Sequence, residues 1–448
     1  MKMTWKQWRW VLLWAVNIVI IFAVWASVSA PLIGTDYSQT LRAISRLGGL
    51  YAAYTLLVQL WLIGRAKLLE ADFGLDRLTR IHRWNGFAAV LLVLVHVPTL
   101  LASYAPVYGV QIPQVLPIIL ENFEDTSKAL IAELLIFGIA ASSLVIARRK
   151  LKYQWWYYIH LLTYIAILFA FGHQVHNGRE LLQVQWFNYY WYGLFIVSFA
   201  MIGFYRFFMP FWRWNTHRFR VARVEKVSAN VFHIYISGRN VTDFEYRAGQ
   251  FAKYWFVARG FWVDEHPFTI SIEPGGEELR ITYKILGDFT GKLSKIPKGT
   301  PVVIDGPYGR FTLDRIQSKK VVFVAGGIGI TPIRAMLGEL AVQKRSLKAQ
   351  IFYAAKTTDE FVILDEIRSL ARKADATLHL VASEGSGRAD IRGLLTADVL
   401  RQELNTLAST DFYICGPPSM MKALRRQLRA AGVSNELIHT EEFSLVKS

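Results

Sequence analysis

Residues 80–101 read RIHRWNGFAAVLLVLVHVPTLL, and residues 155–176 read WWYYIHLLTYIAILFAFGHQVH. Each stretch is long and apolar enough to cross a bilayer as a helix. The first carries His82 and His96, the second His160 and His173. A histidine inside a membrane helix is expensive unless it faces the bundle and finds a partner there. Neutral imidazole is a good axial ligand for haem iron. Two histidines on each of two helices can therefore clamp two haems, one above the other. The plain alternative is a polar residue bonded to a neighbouring helix. It suits one intramembrane histidine better than four at paired depths.

The spacings support the clamp unevenly. His82 and His96 are 14 positions apart, which is ~21 Å of helical rise and close to a whole number of turns. His160 and His173 are 13 apart, or ~19.5 Å. The levels match, but an ideal helix turns the second pair of rings well apart, so a tightened turn or bulge is expected in that helix. His176 is the rival for the outer ligand and lies a further ~4.5 Å along.

Working outward, apolar runs predict six spans near 9–29, 44–64, 82–104, 128–147, 155–175 and 188–209. Lys2, Lys6 and Arg9 precede the first, and Arg65, Lys67, Arg77, Arg80 and Arg83 follow the second. Arg148, Arg149, Lys150 and Lys152 follow the fourth. Basic residues gather on the cytosolic side of membrane proteins. The N-terminus is therefore expected in the cytosol, with His82 and His160 on the inner level and His96 and His173 on the outer. Ser29-Ala30-Pro31 after the first apolar run resembles a signal-peptide cleavage site. That run is longer than a usual signal core and rich in tryptophan, so it is read as a retained helix.

The chain has 448 residues, with 51 Lys+Arg against 34 Asp+Glu, a formal charge of +17. Many of the basic residues flank apolar helices, so the excess is read as lipid-facing topology rather than as a nucleic-acid footprint. The single cysteine, Cys415, rules out an internal disulfide and a cysteine-ligated iron–sulfur cluster within one chain. The sequence shows no feature that demands an obligate protein partner. At the outer mouth of the second span, Arg42 is read as a snorkelling interfacial arginine. Arg46, followed by Leu47-Gly48-Gly49, is placed to reach a haem propionate or an anionic product.

After Pro210 the composition changes. Residues 218–238 alternate as a strand does, and short strands divided by Gly and Pro continue to about residue 312. This predicts a small antiparallel barrel. From Lys319, VVFVA, QIFYAA, TLHLVA and DFYIC alternate with helical stretches, which predicts a parallel α/β sheet. The expected domains are 1–212, 213–316 and 317–448.

Three motifs carry chemistry in this half. In His266-Pro267-Phe268-Thr269-Ile270-Ser271, an aromatic beside a hydroxyl suits a flavin ring. In Gly287-Asp288-Phe289-Thr290-Gly291-Lys292-Leu293, a loop enters a helix, and its amides, Thr290 and Lys292 suit a pyrophosphate; a simple turn and cap is the alternative. In Val324-Ala325-Gly326-Gly327-Ile328-Gly329-Ile330-Thr331-Pro332, Gly327 and Gly329 permit close approach of a pyrophosphate. There Thr331 can cap and Pro332 suits a first helical turn. Cys415-Gly416-Pro417 ends the last strong strand, at the sheet edge where ligands bind.

In this order the motifs resemble the ferredoxin–NADP reductase superfamily. Joined to the six-span bundle, nearly the whole chain resembles the ferric reductase and NADPH oxidase family. The resemblance implies FAD at His266, Pro267, Phe268, Thr269, Ser271 and the Gly287–Lys292 loop. It implies a dinucleotide at Gly326, Gly327, Gly329, Thr331, Cys415, Gly416 and Pro417. Phe443 matches the terminal aromatic that covers the flavin, although five residues follow it here. Thr269, Cys415, Phe443 and Arg46 are the candidates for direct roles in the chemistry. Ser383 and Arg388 can hold a 2′-phosphate by charge-assisted bonds, with Glu384 opposing, so NADPH is the expected donor and NADH also usable. The expected activity is electron transfer from NADPH through FAD and two b-type haems to oxygen, giving superoxide. A ferric-chelate reductase with the same path is the alternative, and a haem subunit serving another enzyme is a third. Oxygen is preferred because outer loop 105–127, with Pro106, Pro113 and Pro117, has the look of a cover and carries no His, Cys or Met.

Overall fold

In the membrane half, apolar runs that must satisfy their backbone internally fold as helices. They are α1 (Trp5–Val28), α2 (Tyr37–Ile63), α3 (Lys67–Phe73), α4 (Leu75–Tyr108), α5 (Ile112–Asn122), α6 (Thr126–Ser143), α7 (Tyr153–Asn177), α8 (Arg179–Gln183) and α9 (Gln185–Ile202). The structure is a computed structural model and describes residues 3–144, 150–151, 153–261, 265–343, 347–384, 389–404 and 406–441. Arg148, Arg149, Lys152, Arg388 and Phe443 fall outside the described residues. The chain divides into two compact units, Lys2–Phe207 and Phe208–Ser448.

Six helices of the described chain are long and apolar enough to cross a membrane, as the hydrophobic runs predict. Their ends are set locally. Asp36 caps α2 by accepting the Gln39 amide at 2.8 Å, and α4 stops at Gly109 with φ 65°. α2 packs along α4, and α6 along α7. The common core includes Leu57, Leu62, Ala166, Phe187 and Trp191. Beyond α9 the chain continues through a π-helical turn, Gly203–Phe208.

The second unit begins with α10 (Met209–His217), whose buried Arg213 donates to the Gly306 carbonyl. The stretch 218–238 is not one strand but an antiparallel hairpin, β1 (Arg220–Ser228) and β2 (Val231–Ser237). Ala229-Asn230 supply the turn, a break that alternation alone does not reveal because both arms keep the same period. Two three-stranded antiparallel sheets follow, in the orders β1-β2-β5 and β4-β3-β6. The remaining strands are β3 (Phe251–Phe256), β4 (His266–Thr269), β5 (Leu279–Lys284) and β6 (Val302–Tyr308), with α11 (Asp288–Leu293) after β5. The sheets share a core that includes Phe256 and Ile304, both fully buried; each contributes roughly 1.5–3 kcal/mol by leaving water.

The last third is a parallel six-stranded sheet in the order β10-β9-β8-β7-β11-β12. It comprises β7 (Lys320–Gly326), β8 (Lys348–Ala355), β9 (Ala376–Ala382), β10 (Ile391–Arg392), β11 (Asp411–Cys415) and β12 (Ile438–Thr440). Helices α12 (Ile330–Gln343), α13 (Leu364–Lys373), α14 (Ala397–Leu404) and α15 (Pro418–Ala430) connect them. Near-continuous apolar strands such as VVFV in β7 are buried on both faces, as a helix-covered parallel sheet requires.

Candidate functional site

The four histidines of the membrane half meet in two pairs. The ring centres of His82 on α4 and His160 on α7 are 5.9 Å apart, and those of His96 and His173 are 6.4 Å apart. Two imidazoles bound to one metal through bonds of ~2 Å stand with ring centres about 6 Å apart. The Nδ1 atoms of His82, His160 and His173 are buried without a well-formed hydrogen-bond partner. The ring spacing fits the seating of one haem between each pair. The expected tightening of α7 is absent, since Tyr153–Asn177 is continuous α-helix. Both rings nonetheless meet their partners on α4, so the 13-residue spacing does not keep them apart.

His96 is seated by α2. Its Nδ1 lies 2.8 Å from the Ser45 carbonyl, and the Ser45 hydroxyl donates to the His96 carbonyl at 2.8 Å. A proton on Nδ1, given to that carbonyl, leaves Nε2 as the ligating nitrogen. A Cβ at Gly49 would fall 2.9 Å from the His96 ring, so only glycine lets α2 come this close. Ser45 escaped the sequence reading, yet the stripe Arg42, Ser45, Arg46, Gly49 at helical spacing was the signal that points to it. His176 does not compete for the pair. Its Nδ1 lies 3.0 Å from Asp125 and 3.7 Å from Glu124.

The two arginines of α2 have different surroundings. Arg46 donates to Ser29 Oγ at 3.3 Å, and Ser29 donates to the buried carboxylate of Glu180 at 2.5 Å. Arg42 is half-buried. Its Nε and Nη2 are buried without a partner, and its guanidinium lies 4.2 Å from the Tyr104 ring centre. Near the other pair, Arg206 donates to the hydroxyls of Tyr157 and Tyr164. These tyrosines flank His160 on one face of α7.

In the second unit, β4 and the start of α11 bring the flavin motifs together. The His266 and Phe289 rings stack with centres 3.5 Å apart. Phe268 is buried, within 6.2 Å of Tyr254 and 5.9 Å of Tyr283. Thr269 is buried, and Pro267 is half-buried beside it. Ser271 does not face a ligand: its hydroxyl is committed to the Arg280 carbonyl at 3.1 Å and to Thr282 at 2.7 Å. Thr290 behaves as the turn-and-cap alternative describes. It accepts from the Leu286 and Gly287 amides and donates to the Gly287 carbonyl, and the Gly291 amide also bonds that carbonyl at 2.9 Å. Lys292 is exposed.

At the C-terminal edge of the parallel sheet, the glycines divide their work. Gly327, at φ +54°, has nothing within 4 Å of a built Cβ and is open to a ligand. Gly329 is not: its Cβ position lies 2.4 Å from the Cys415 carbonyl oxygen, and that of Gly416 lies 2.9 Å from the Gly326 backbone. These two glycines let the ends of β7 and β11 touch. Thr331 lies inside α12, and its hydroxyl donates to the Ile328 carbonyl at 3.0 Å, so it does not cap an amide. Pro332 occupies the first turn as its fixed φ suggests, and Pro417 abuts Gly326 across the strand ends. The Cys415 thiol is buried, and burial pushes it well above the usual thiol range, so it is a neutral apolar contact. Ser383 follows β9, and the Glu384 amide donates to the Lys356 carbonyl at 2.7 Å. Lys356, which sequence reading passed over, thus lies beside the segment that carries Ser383.

A charge network links this sheet to the antiparallel sheets within the same unit. Glu366 meets Arg280 at 3.0 Å and Arg334 at 2.5 Å, and Arg334 also meets Glu273. Burial alone would raise Glu366, but the two guanidiniums hold it below the usual carboxylate range.

Residues 48–171 match the family described as ferric reductase like transmembrane component. Residues 216–312 match an FAD-binding domain, and residues 323–426 an oxidoreductase NAD-binding domain. The chain is 25% identical over 238 residues to the reductase component of propane 2-monooxygenase from Rhodococcus jostii, covering 51% of this chain and 63% of that protein. It is 29% identical over 243 residues to the flavohemoprotein of Bordetella pertussis, covering 50% of this chain and 60% of that protein. The chain therefore spans less than two thirds of each relative. Among solved structures, the flavohem-like FAD/NAD binding domain of nitric oxide dioxygenase from Vibrio cholerae is 25% identical. It aligns with a TM-score of 0.45 over 50% of this chain and 96% of that one. Flavohemoglobin from Malassezia yamatoensis is 19% identical, with a TM-score of 0.47 over 93% of this chain and 98% of that one.

A ferric reductase-like transmembrane component is thus followed by an FAD-binding domain and an oxidoreductase NAD-binding domain. The three matches, in this order, are those of a ferric reductase/NADPH oxidase-type family with ferredoxin–NADP reductase-like flavin and nucleotide domains.

Proposed function

We propose that the protein carries electrons across a membrane from cytosolic NADPH, with NADH also usable, to molecular oxygen outside, releasing superoxide. The observation that carries this reading is the pair of histidine couples, with ring centres 5.9 and 6.4 Å apart on the same two helices. When bound, FAD takes a hydride from the nicotinamide, and two b-type haems relay single electrons between the membrane faces. His82 and His160 hold the inner haem, and His96 and His173 the outer. Ser45 fixes the His96 ring, while His266, Pro267, Phe268 and Phe289 wall the flavin. Gly327 and Lys356 receive the dinucleotide, with Ser383 beside them, and Cys415 keeps the nicotinamide end dry. The domains are assigned as 1–212, 213–316 and 317–448.

Oxygen is favoured by the cover at one end of α4. In loop 105–127, α5 packs Val115 and Ile119 against Leu101, Tyr104 and Phe123, which suits a small apolar acceptor. His96 and His173 would both be taken up in holding the outer haem, which would supply single electrons to an acceptor that does not bind its metal. One observation favours the second reading, ferric-chelate reduction. Donor atoms of Glu124, Asp125 and His176 lie within 4.8 Å of one another, and hard cations take such oxygen ligands as substrate. Asp125 is already paired to Lys128 at 2.5 Å, so that cluster is partly neutralised. The test supplies NADPH and FAD to purified protein and follows cytochrome c reduction with and without superoxide dismutase. Loss of the signal with dismutase is expected. Dismutase-insensitive reduction, with fast anaerobic reduction of ferric chelate, would replace the oxidase by the reductase.

A further inference from the structure

We propose that Arg42 binds a carboxylate of the haem seated between His96 and His173, an inference that rests on the two-haem reading above. Arg42, Ser45, Arg46 and Gly49 form one stripe of α2 at i, i+3, i+4 and i+7. The middle and end of that stripe seat His96: Ser45 bonds its ring nitrogen, and Gly49 makes room for the ring. Arg42 stands one turn further along the same face. Its guanidinium is laid on the Tyr104 ring, which leaves its in-plane donors to point elsewhere. Two of them, Nε and Nη2, are closed off from solvent and meet no acceptor among the described residues.

A guanidinium with buried, unanswered donors asks for an anion. The nearby carboxylate does not supply it. Glu180 takes its bond from Ser29, which in turn accepts from Arg46, so that acid is committed to the other arginine. A transient anionic product would leave Arg42 orphaned between turnovers. A resident carboxylate would satisfy it throughout, and a b-type haem would supply one from its propionate groups. The planar guanidinium suits such a group in two-point contact. Arg42 is therefore a binding residue whose positive charge also favours the reduced state of that haem.

The test uses the full-length, haem-loaded protein in detergent, with Arg42→Gln and Arg42→Lys, titrated spectroelectrochemically. In Arg42→Gln the reduction equilibrium of one haem falls ~tenfold or more, which is a potential lower by about 60 mV for one electron. The other haem is unchanged, and Arg42→Lys falls less. Haem content stays at the wild-type value in Arg42→Lys, which separates the effect from misfolding. Unchanged potentials in Arg42→Gln, or equal shifts in both haems, overturn the assignment. Unchanged potentials with a raised KM for the acceptor transfer Arg42 to the acceptor side and overturn it as well. Wild-type protein without haem overturns the two-haem reading itself.

Discussion

Gly48 and Gly49 are adjacent in sequence, and their alanine variants are expected to differ sharply. A Cβ at Gly49 lands 2.9 Å from both Cε1 and Nδ1 of His96, whereas one at Gly48 lands 3.5 Å from the His96 amide. Apolar atoms rest at ~3.5–4.0 Å, so Gly49→Ala forces the ring back by roughly 0.6–1 Å, while Gly48→Ala makes ordinary contact. The ring cannot swing freely, because its Nδ1 is held 2.8 Å from the Ser45 carbonyl. Overpacking of this kind costs typically ~1–3 kcal/mol, here concentrated on a ligating side chain. Gly49→Ala is therefore expected to lose one of two haems and to melt several degrees lower. Gly48→Ala is expected to keep both haems. The assays are haem content by pyridine haemochrome and thermal melting of the purified protein. Equal behaviour of the two variants, or two retained haems in Gly49→Ala, would refute the close seating of His96 by α2.

Glu366→Gln leaves the buried Arg280 and Arg334 without their shared carboxylate. A loss of ~1–3 kcal/mol in stability is expected, with slower flavin reduction by NADPH at unchanged FAD content, read by stopped flow. Lys356→Ala is expected to raise KM for NADPH more than for NADH; equal effects on the two donors would remove Lys356 from the 2′-phosphate edge. His233 is buried beside Thr282 and burial lowers its pKa to about 4. The unfolded chain takes up that proton near pH 6.5, so the folded state loses stability as pH falls from about 6.5 towards 4. Melting temperatures of wild type and His233→Gln should diverge at neutral pH and converge over that window; parallel curves would contradict the assignment.

What the sequence reveals here is what depends on period and length. Six apolar runs, the depths of four histidines, and the shift from antiparallel to parallel strands after Lys319 all follow from patterns a single chain displays. What it hides depends on which groups meet in space. The hydroxyls of Ser271 and Thr290 look available in their motifs, yet the folded backbone consumes both. Gly329 reads as a phosphate glycine but serves the contact with Cys415. The 13-residue offset of His160 and His173 argues against a shared partner helix only while side chains are treated as rigid spokes. Arg42 and Arg46 share charge and span, and only their neighbours, Tyr104 for one and Ser29 for the other, tell them apart.

The central claim is that each histidine couple holds one haem, and haem counting on the purified protein tests it most directly. Wild type should carry two six-coordinate, low-spin b-type haems per chain, and His82→Ala and His96→Ala should each carry one, with His176→Ala unchanged. Folded wild-type protein with no haem, or a full complement in both histidine variants, would contradict the account.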